Sequence, residues 1–273
     1  MTGSELKTRA AEDLRNIRQK KPLIHNITNF VVMNFTANVL LAMGASPVMA
    51  HAREEVEDMV SLAGALVLNI GTLTPVWVEA MMAAGRAANK LKVPVILDPV
   101  GSGATRLRTE SARRILGELS LAVVRGNASE ILSLADAGSK TKGVDSIHGV
   151  DEAAETAAVL ARELGTTLAI TGPVDLVTDG SRTVRVANGH PLLGMVTGTG
   201  CAATAVIGAF LAVDDDPVAA AAAGLAFFGL AGEMAAERAK APGGFQTALL
   251  DALYLLDEDR LRAESRFSPE SII

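Results

Sequence analysis

Four short apolar runs rich in β-branched residues, at Ala65 to Ile70, Val93 to Leu97, Leu121 to Val124 and Thr166 to Ile170, constrain the fold more than any other feature. Such runs suit strands buried on both faces. Segments of helical period lie between them, at Pro75 to Leu91, Glu110 to Leu116, Ser129 to Ala135 and Asp151 to Leu164. Each is long enough to carry the chain back for parallel pairing. The alternation predicts an α/β fold with a mostly parallel central sheet flanked by helices. Further helices are expected over 4–18, Asn29 to Met43 and Glu54 to Leu62, with a helix-rich end from Cys201 onward. After Thr171 the texture changes: Asp175 to Thr178 and Thr183 to Ala187 flank Asp179-Gly180-Ser181-Arg182 and read as a hairpin. Pro217 to Gly232 is apolar, but as a helix it would extend only about 24 Å against a bilayer core of about 30 Å. Its alanines and glycines predict a closely packed buried helix. Gly138 to Val150, with three glycines and no clear period, reads as a surface loop, and Ser265 to Ile273 as a frayed tail. No linker or tandem repeat divides residues 1–273, so one domain is expected.

Composition narrows the partners. A formal net charge of -6 offers no broad positive field to a polyphosphate backbone, so nucleic acid is not an expected partner, and neither is a membrane. Cys201 is the only cysteine, which rules out an intrachain disulfide and a cysteine-built zinc site. Met1 to Lys21 mixes acidic and basic residues without the apolar run of a secretory signal. A cytoplasmic location is therefore expected.

In an open parallel sheet, ligands bind beyond the carboxyl ends of the strands. Polar segments follow each apolar run: Asn69 to Thr72, Asp98 to Gly103, Arg125 to Glu130, and Thr171 to Pro173. Any one of these could be only a turn or helix cap, whereas four together mark a shared edge. The densest glycine signal is Thr197-Gly198-Thr199-Gly200-Cys201-Ala202-Ala203, opening an apolar helical segment. Glycines permit close backbone approach, and free amides at a helix start favour an anion, so Gly198, Thr199 and Gly200 form a candidate phosphate site. Gly198, Gly200 and Ala203 also fit a dinucleotide fingerprint, but no strand leads into them and no acidic residue follows at the ribose distance. Gly138 and Gly143 have Walker A outer spacing, yet Val144 stands where lysine is required. Asp98 and Glu130 are candidates to hold Mg2+ beside a nucleotide, or else to cap a turn and a helix. Arg125 offers phosphate a planar fork. The four histidines show no zinc-binding spacing, and His25 reads as a packing or substrate-bonding residue. Cys201 is open to three roles, inert packing, covalent nucleophile or weak base, and a helix start would favour its thiolate.

Six segments occur in order: His25-Asn26-Ile27-Thr28-Asn29, Gly44 to Met49, Leu68 to Thr72, Asp98 to Gly103, Arg125 to Glu130, and Thr197 to Cys201. Together they resemble the hydroxyethylthiazole kinase family, from about Pro22 to Leu250. The resemblance implies a ribokinase-like fold and transfer of the ATP γ-phosphate to the alcohol of 4-methyl-5-(2-hydroxyethyl)thiazole, in thiamine salvage. It implies that Arg125 and Thr171 contact ATP and that Asp98 and Glu130 organise Mg2+. The anion hole falls at Gly198 to Gly200 and the base position at Cys201. Met49 and Gly198 would contact the thiazole, with Asn29, Val31, Gly71 and Thr72 lining it. Many ribokinase-like enzymes carry aspartate where this chain has Cys201. The resemblance further implies a homotrimer with active sites between subunits, which would give alanine- and glycine-rich surfaces a partner. The alternatives are another ribokinase-like enzyme, such as a hydroxymethylpyrimidine kinase or a nicotinamide-nucleotide repair dehydratase, and a noncatalytic nucleotide-binding protein of the same fold.

Overall fold

A computed structural model describes residues 1–135 and 150–271 of the chain. The strands are β1 (Leu23–Ile27), β2 (Ser46–Val48), β3 (Ala65–Asn69), β4 (Val95–Asp98), β5 (Val123–Asn127), β6 (Thr167–Thr171), β7 (Asp175–Thr178), β8 (Arg182–Val186) and β9 (Phe267–Ser271). They form one sheet in the order β2-β1-β3-β4-β5-β6-β7-β8-β9. Pairing is parallel from β2 through β6 and antiparallel from β6 to β9. The chain leaves β1 for β2 on one side and then crosses to β3 on the other. A topological switch point thus opens between β1 and β3, the position where a crevice forms above the strand ends.

Helices cover both faces. They are α1 (Gly3–Lys20), α2 (Met33–Met43), α3 (Val56–Leu62), α4 (Pro75–Leu91), α5 (Arg106–Glu118), α6 (Ala128–Leu132), α7 (Val150–Leu164), α8 (Thr199–Leu211), α9 (Pro217–Arg238), α10 (Pro242–Leu255) and α11 (Glu258–Glu264). Strand alternation sorts the core: Ala65 and Val67 of β3 pack with α1, α2, α8, α9 and α10, while Leu66 and Leu68 pack with α3, α4 and α5. Because both faces are covered, β3 is buried throughout, which is why it reads as an unbroken apolar run.

The buried helix expected over Pro217 to Gly232 is α9, and the hairpin is β7–β8. Three expectations are corrected. Within the tail expected to fray over 265–273, Phe267–Ser271 forms β9 along β8, with Phe267 opposite Val186 and Pro269 opposite Val184. An outermost strand tolerates that proline because one of its edges needs no donor. The alanine run Ala219 to Ala223 is buried within the chain, so it offers no surface to a partner. Helix α2 starts at Met33 rather than Asn29, because Asn29 to Val32 form a turn, with Val32 N–H donating to the Asn29 carbonyl at 3.3 Å. The expected loop at Gly138 to Val150 lies outside the described residues, apart from Val150, which opens α7.

Candidate active site

The ends of β3 and β4 are in register, Asn69 beside Asp98. Asn69 Nδ2 donates to Asp98 Oδ2 at 2.8 Å, and Thr204 Oγ1 of α8 donates to the same oxygen at 2.8 Å. Arg125 comes from β5 itself, not from the turn after it, and brings Nη1 to 4.0 Å from that oxygen. Asp98 is 1% exposed, and its other oxygen, Oδ1, is buried with no hydrogen-bond partner. Burial pushes this carboxyl up to about 6, opposed by the Arg125 charge and the Thr204 and Asn69 hydrogen bonds.

Helix α8 supplies the second half of the site. Gly198 caps it at φ +88°, a left-handed conformation that a side chain resists, and a Cβ there would meet Val32 at 2.7 Å. The first bond within the helix runs from Ala202 N–H to the Gly198 carbonyl at 2.8 Å, so the amides before it have no helical acceptor. They and the helix dipole create a local positive potential. Thr199 Oγ1 donates to the Leu193 carbonyl at 2.7 Å, tying the helix start to a 3-10 turn at Pro191–Met195. Gly200 leaves room for the guanidinium, because a Cβ at that position would lie 2.8 Å from Arg125 Nη1. Arg125 Nη2 in turn donates to Thr171 Oγ1 at 2.6 Å.

Cys201 sits in this first turn, half-buried, with its sulfur 3.5 Å from Asn29 Nδ2. The helix start does not make it a thiolate. Burial and the nearby Asp98 charge push the thiol up to about 11, outweighing the Asn69 and Asn29 hydrogen bonds and Arg125. The expectation of thiolate character is corrected on that ground.

Beside Arg125 opens a cavity of about 520 Å³, walled by Thr171, Gly172, Asp175, His190, Gly200 and Phe228 among others. Its volume falls in the range of cofactor-sized pockets. Asp175, whose carboxylate accepts the Gly172 N–H at 3.0 Å, is pushed up to about 6 by burial. A second cavity of about 500 Å³ lies against α1, lined by Arg9, Asp13 and Asp214. That one is acidic and sits past the C-terminal end of α8, away from the sheet's carboxyl edge.

The acceptor-side residues fall into two groups. Asn29, Gly71 and Thr72 meet directly: Phe30 N–H donates to Thr72 Oγ1 at 3.1 Å, and a Cβ on Gly71 would sit 2.6 Å from Asn29 Nδ2. Met49 stands one strand outward, on the segment after β2. That segment is held by His25, whose Nε2 donates to the Ala50 carbonyl at 2.8 Å, so His25 is a buried positioning group. Burial lowers the pKa of its imidazole below the usual histidine value, opposed by the Ala50 hydrogen bond. Trp77 joins the two groups, with its ring centroid 4.1 Å from His51 and 4.8 Å from Phe30. Val31 and Phe30 are well exposed beside it, at 65% and 61%. Sequence reasoning missed Phe30, His51, Trp77 and Asp175. Only for Asp175 did the sequence carry a usable signal, a carboxylate four residues beyond Thr171 at the start of the expected hairpin.

The carboxylates fit Mg2+ in a restricted way. Glu130 accepts Gly101 N–H through Oε1 and Asn127 N–H through Oε2, each at 2.9 Å, so each oxygen keeps one lone pair for a metal or a metal-bound water. Asp98 has one uncommitted oxygen. Among the described residues no three His, Cys, Asp or Glu side chains form a metal cluster. One carboxylate with a second, direct or water-linked, suits Mg2+, which keeps much of its hydration and takes phosphate oxygens as ligands.

The fold, with a site at its switch point, is ribokinase-like. A ribokinase-like superfamily protein from Enterococcus faecalis V583 superposes with a TM-score of 0.60 at 15% identity, covering 86% of this chain and 87% of that one, a likeness of fold alone. The profile of the hydroxyethylthiazole kinase family matches residues 14–259. A hydroxyethylthiazole kinase of Desulfotalea psychrophila is 62% identical over 268 residues, 98% of each chain. The structure of a hydroxyethylthiazole kinase protein from Pyrococcus horikoshii OT3 superposes with a TM-score of 0.88 at 48% identity, covering 96% of this chain and 99% of that one. The chain belongs to the hydroxyethylthiazole kinase family, and with it to the phosphotransferases of thiamine biosynthesis.

Proposed function

We propose a division of labour for the transfer of the ATP γ-phosphoryl group to the hydroxyl of 4-methyl-5-(2-hydroxyethyl)thiazole. The nucleotide occupies the cavity beside Arg125 and Thr171, with the Arg125 fork on phosphate oxygens. The amides of Gly198, Thr199 and Gly200 receive the charge on the transferring group. Asn29, Val31, Met49, Gly71 and Thr72 surround the thiazole, and Cys201 faces its hydroxyl. The acceptor oxygen bonds to the γ-phosphorus, its proton passes late to an oxygen of the transferred phosphoryl group, the bond to the bridging oxygen breaks, and ADP leaves. Mg2+, held by Asp98 and, directly or through water, by Glu130, would neutralise charge on the phosphates. The reading is carried by the start of α8, which puts free amides and Cys201 in one turn against the Arg125 guanidinium of β5.

At a pKa of about 11, only about one thiol in ten thousand is ionised at neutral pH, so Cys201 contributes little as a base. A loose transition state asks little of one. In an assay of thiazole-dependent ADP formation, Cys201→Ala is therefore expected to keep turnover within about tenfold of native. Cys201→Asp should match or exceed native kcat, because a carboxyl starts near 3.9 and stays largely ionised even if burial raises it as it raises Asp98. An inactive Cys201→Ala together with a trappable phosphocysteine would establish covalent catalysis instead.

The exposed Phe30, Val31 and Val76 beside the acceptor side support a homotrimer whose subunits complete the thiazole site. Light scattering should give three chains per particle, and a fully active monomer at assay concentration would overturn this. A cytoplasmic setting, where thiols stay reduced, suits a site with a free cysteine.

A further inference from the structure

Asn69 belongs to neither the phosphate side nor the acceptor side of the site, yet it touches both. Its Oδ1 accepts the Gly71 N–H at 3.0 Å, and a backbone amide can only donate, so the amide orientation of Asn69 is fixed. The Nδ2 arm is thereby committed to Asp98, and the same Oδ1 takes Asn29 Nδ2 at 2.8 Å. Asn29 is fixed in turn: its NH2 group faces Asn69 and, at 3.5 Å, the Cys201 sulfur. The sulfur is an acceptor in that contact, which turns its own proton away from Asn29. Both asparagines are buried, at 1% and 4% exposure, so water does not compete for these bonds. Gly71 closes the arrangement, because a Cβ there would lie 2.6 Å from Asn29 Nδ2 and 2.8 Å from its Cβ, pushing the whole side chain aside.

We propose that Asn69 is a positioning residue that orients the Cys201 thiol, both by its own contact with the sulfur and through Asn29, linking the carboxylate end of the site to its acceptor end. The relay crosses the switch point between β1 and β3, so it joins segments 40 and 172 residues apart in sequence. Its role in turnover rests on the division of labour proposed above, whereas its existence does not.

The test exploits the single cysteine, which makes any thiol readout site-specific. Asn69→Ser keeps a hydroxyl for Asp98 but is too short to bridge to Asn29 as well. It is expected to slow iodoacetamide labelling of the substrate-free protein by about tenfold, the worth of one buried hydrogen bond. Gly71→Ala, which displaces Asn29 without deleting a polar group, should slow labelling similarly. In an Asn29→Ala background, Asn69→Ser should slow labelling less than it does in the native protein, because one of its two routes to the sulfur is already cut. In the kinase assay Asn69→Ser should lower kcat by no more than Cys201→Ala does, with KM for ATP within about twofold, and have no such effect in a Cys201→Ala background. Equal losses in both backgrounds, or unchanged labelling in Asn69→Ser and Gly71→Ala, would overturn the relay. Labelling that follows this pattern in a native protein that does not phosphorylate the thiazole would uphold the relay and reject the proposed chemistry.

Discussion

Asp98→Asn is expected to lower kcat by about two to three orders of magnitude while leaving the fold at least as stable as native. The two effects have one cause. Asp98 carries a negative charge in a buried position, balanced by Arg125 at 4.0 Å and two hydrogen bonds, with one oxygen left without a partner. Such a charge costs stability, and the structure retains it where Mg2+ and phosphate would need it. Asparagine presents a carbonyl oxygen to Asn69 and Thr204, so both contacts survive the substitution. The linkage has a definite sign. A native pKa of about 6 against an ordinary value near 3.9 means that the folded state binds the proton more tightly. The metal-free protein should therefore gain stability as pH falls from about 7 towards 4, by an amount on the order of 2–3 kcal/mol from this group. Asp175, also near 6, adds a second such contribution. Urea denaturation at several pH values would show Asp98→Asn losing part of that gain and Asp175→Asn another part. A marked drop in the stability of Asp98→Asn at neutral pH would show that the carboxylate is structural.

Arg125→Ala should reduce kcat/KM for ATP by about a hundredfold or more, mainly through KM. The guanidinium bonds Thr171, packs against Gly200 and lines the cavity proposed for the nucleotide, so one substitution removes the proposed phosphate contact and the positive charge facing Asp98. Asp98 and Asp175 are both held down by that charge, and each should titrate higher without it. Arg125→Lys preserves charge but not the planar fork, and is expected to recover stability more than nucleotide affinity. A folded Arg125→Ala with native KM for ATP and native kcat would remove this residue from the site.

Much of the site was legible because its residues follow strands. Asp98, Asn69 and Thr171 end strands, Glu130 lies in the first turn of the helix after β5, and Gly198 to Cys201 open a helix, as their spacing indicated. Chain-local patterns report such positions because strand and helix periods are local. Boundaries were less legible: β5 extends to Asn127, so Arg125 is a strand residue rather than a turn residue. β1, β2 and β9 went unseen, β2 being only three residues long and β9 carrying a proline. Their strand character depends on a neighbour supplying the ladder bonds.

The sequence by itself determined the α/β class, the family, the sheet edge that carries the candidate site and most of the candidate residues on that edge. Each follows from residue order, periodicity or motif. Tertiary structure alone decided the ionisation of Cys201, the aromatic bridge from Phe30 through Trp77 to His51, and the path from Asp98 through Asn69 and Asn29 to the sulfur. A pKa depends on which charges and how much water lie within a few ångströms, and a hydrogen bond on which groups meet across the sheet. Residues far apart in the chain supply both, so no local pattern encodes them.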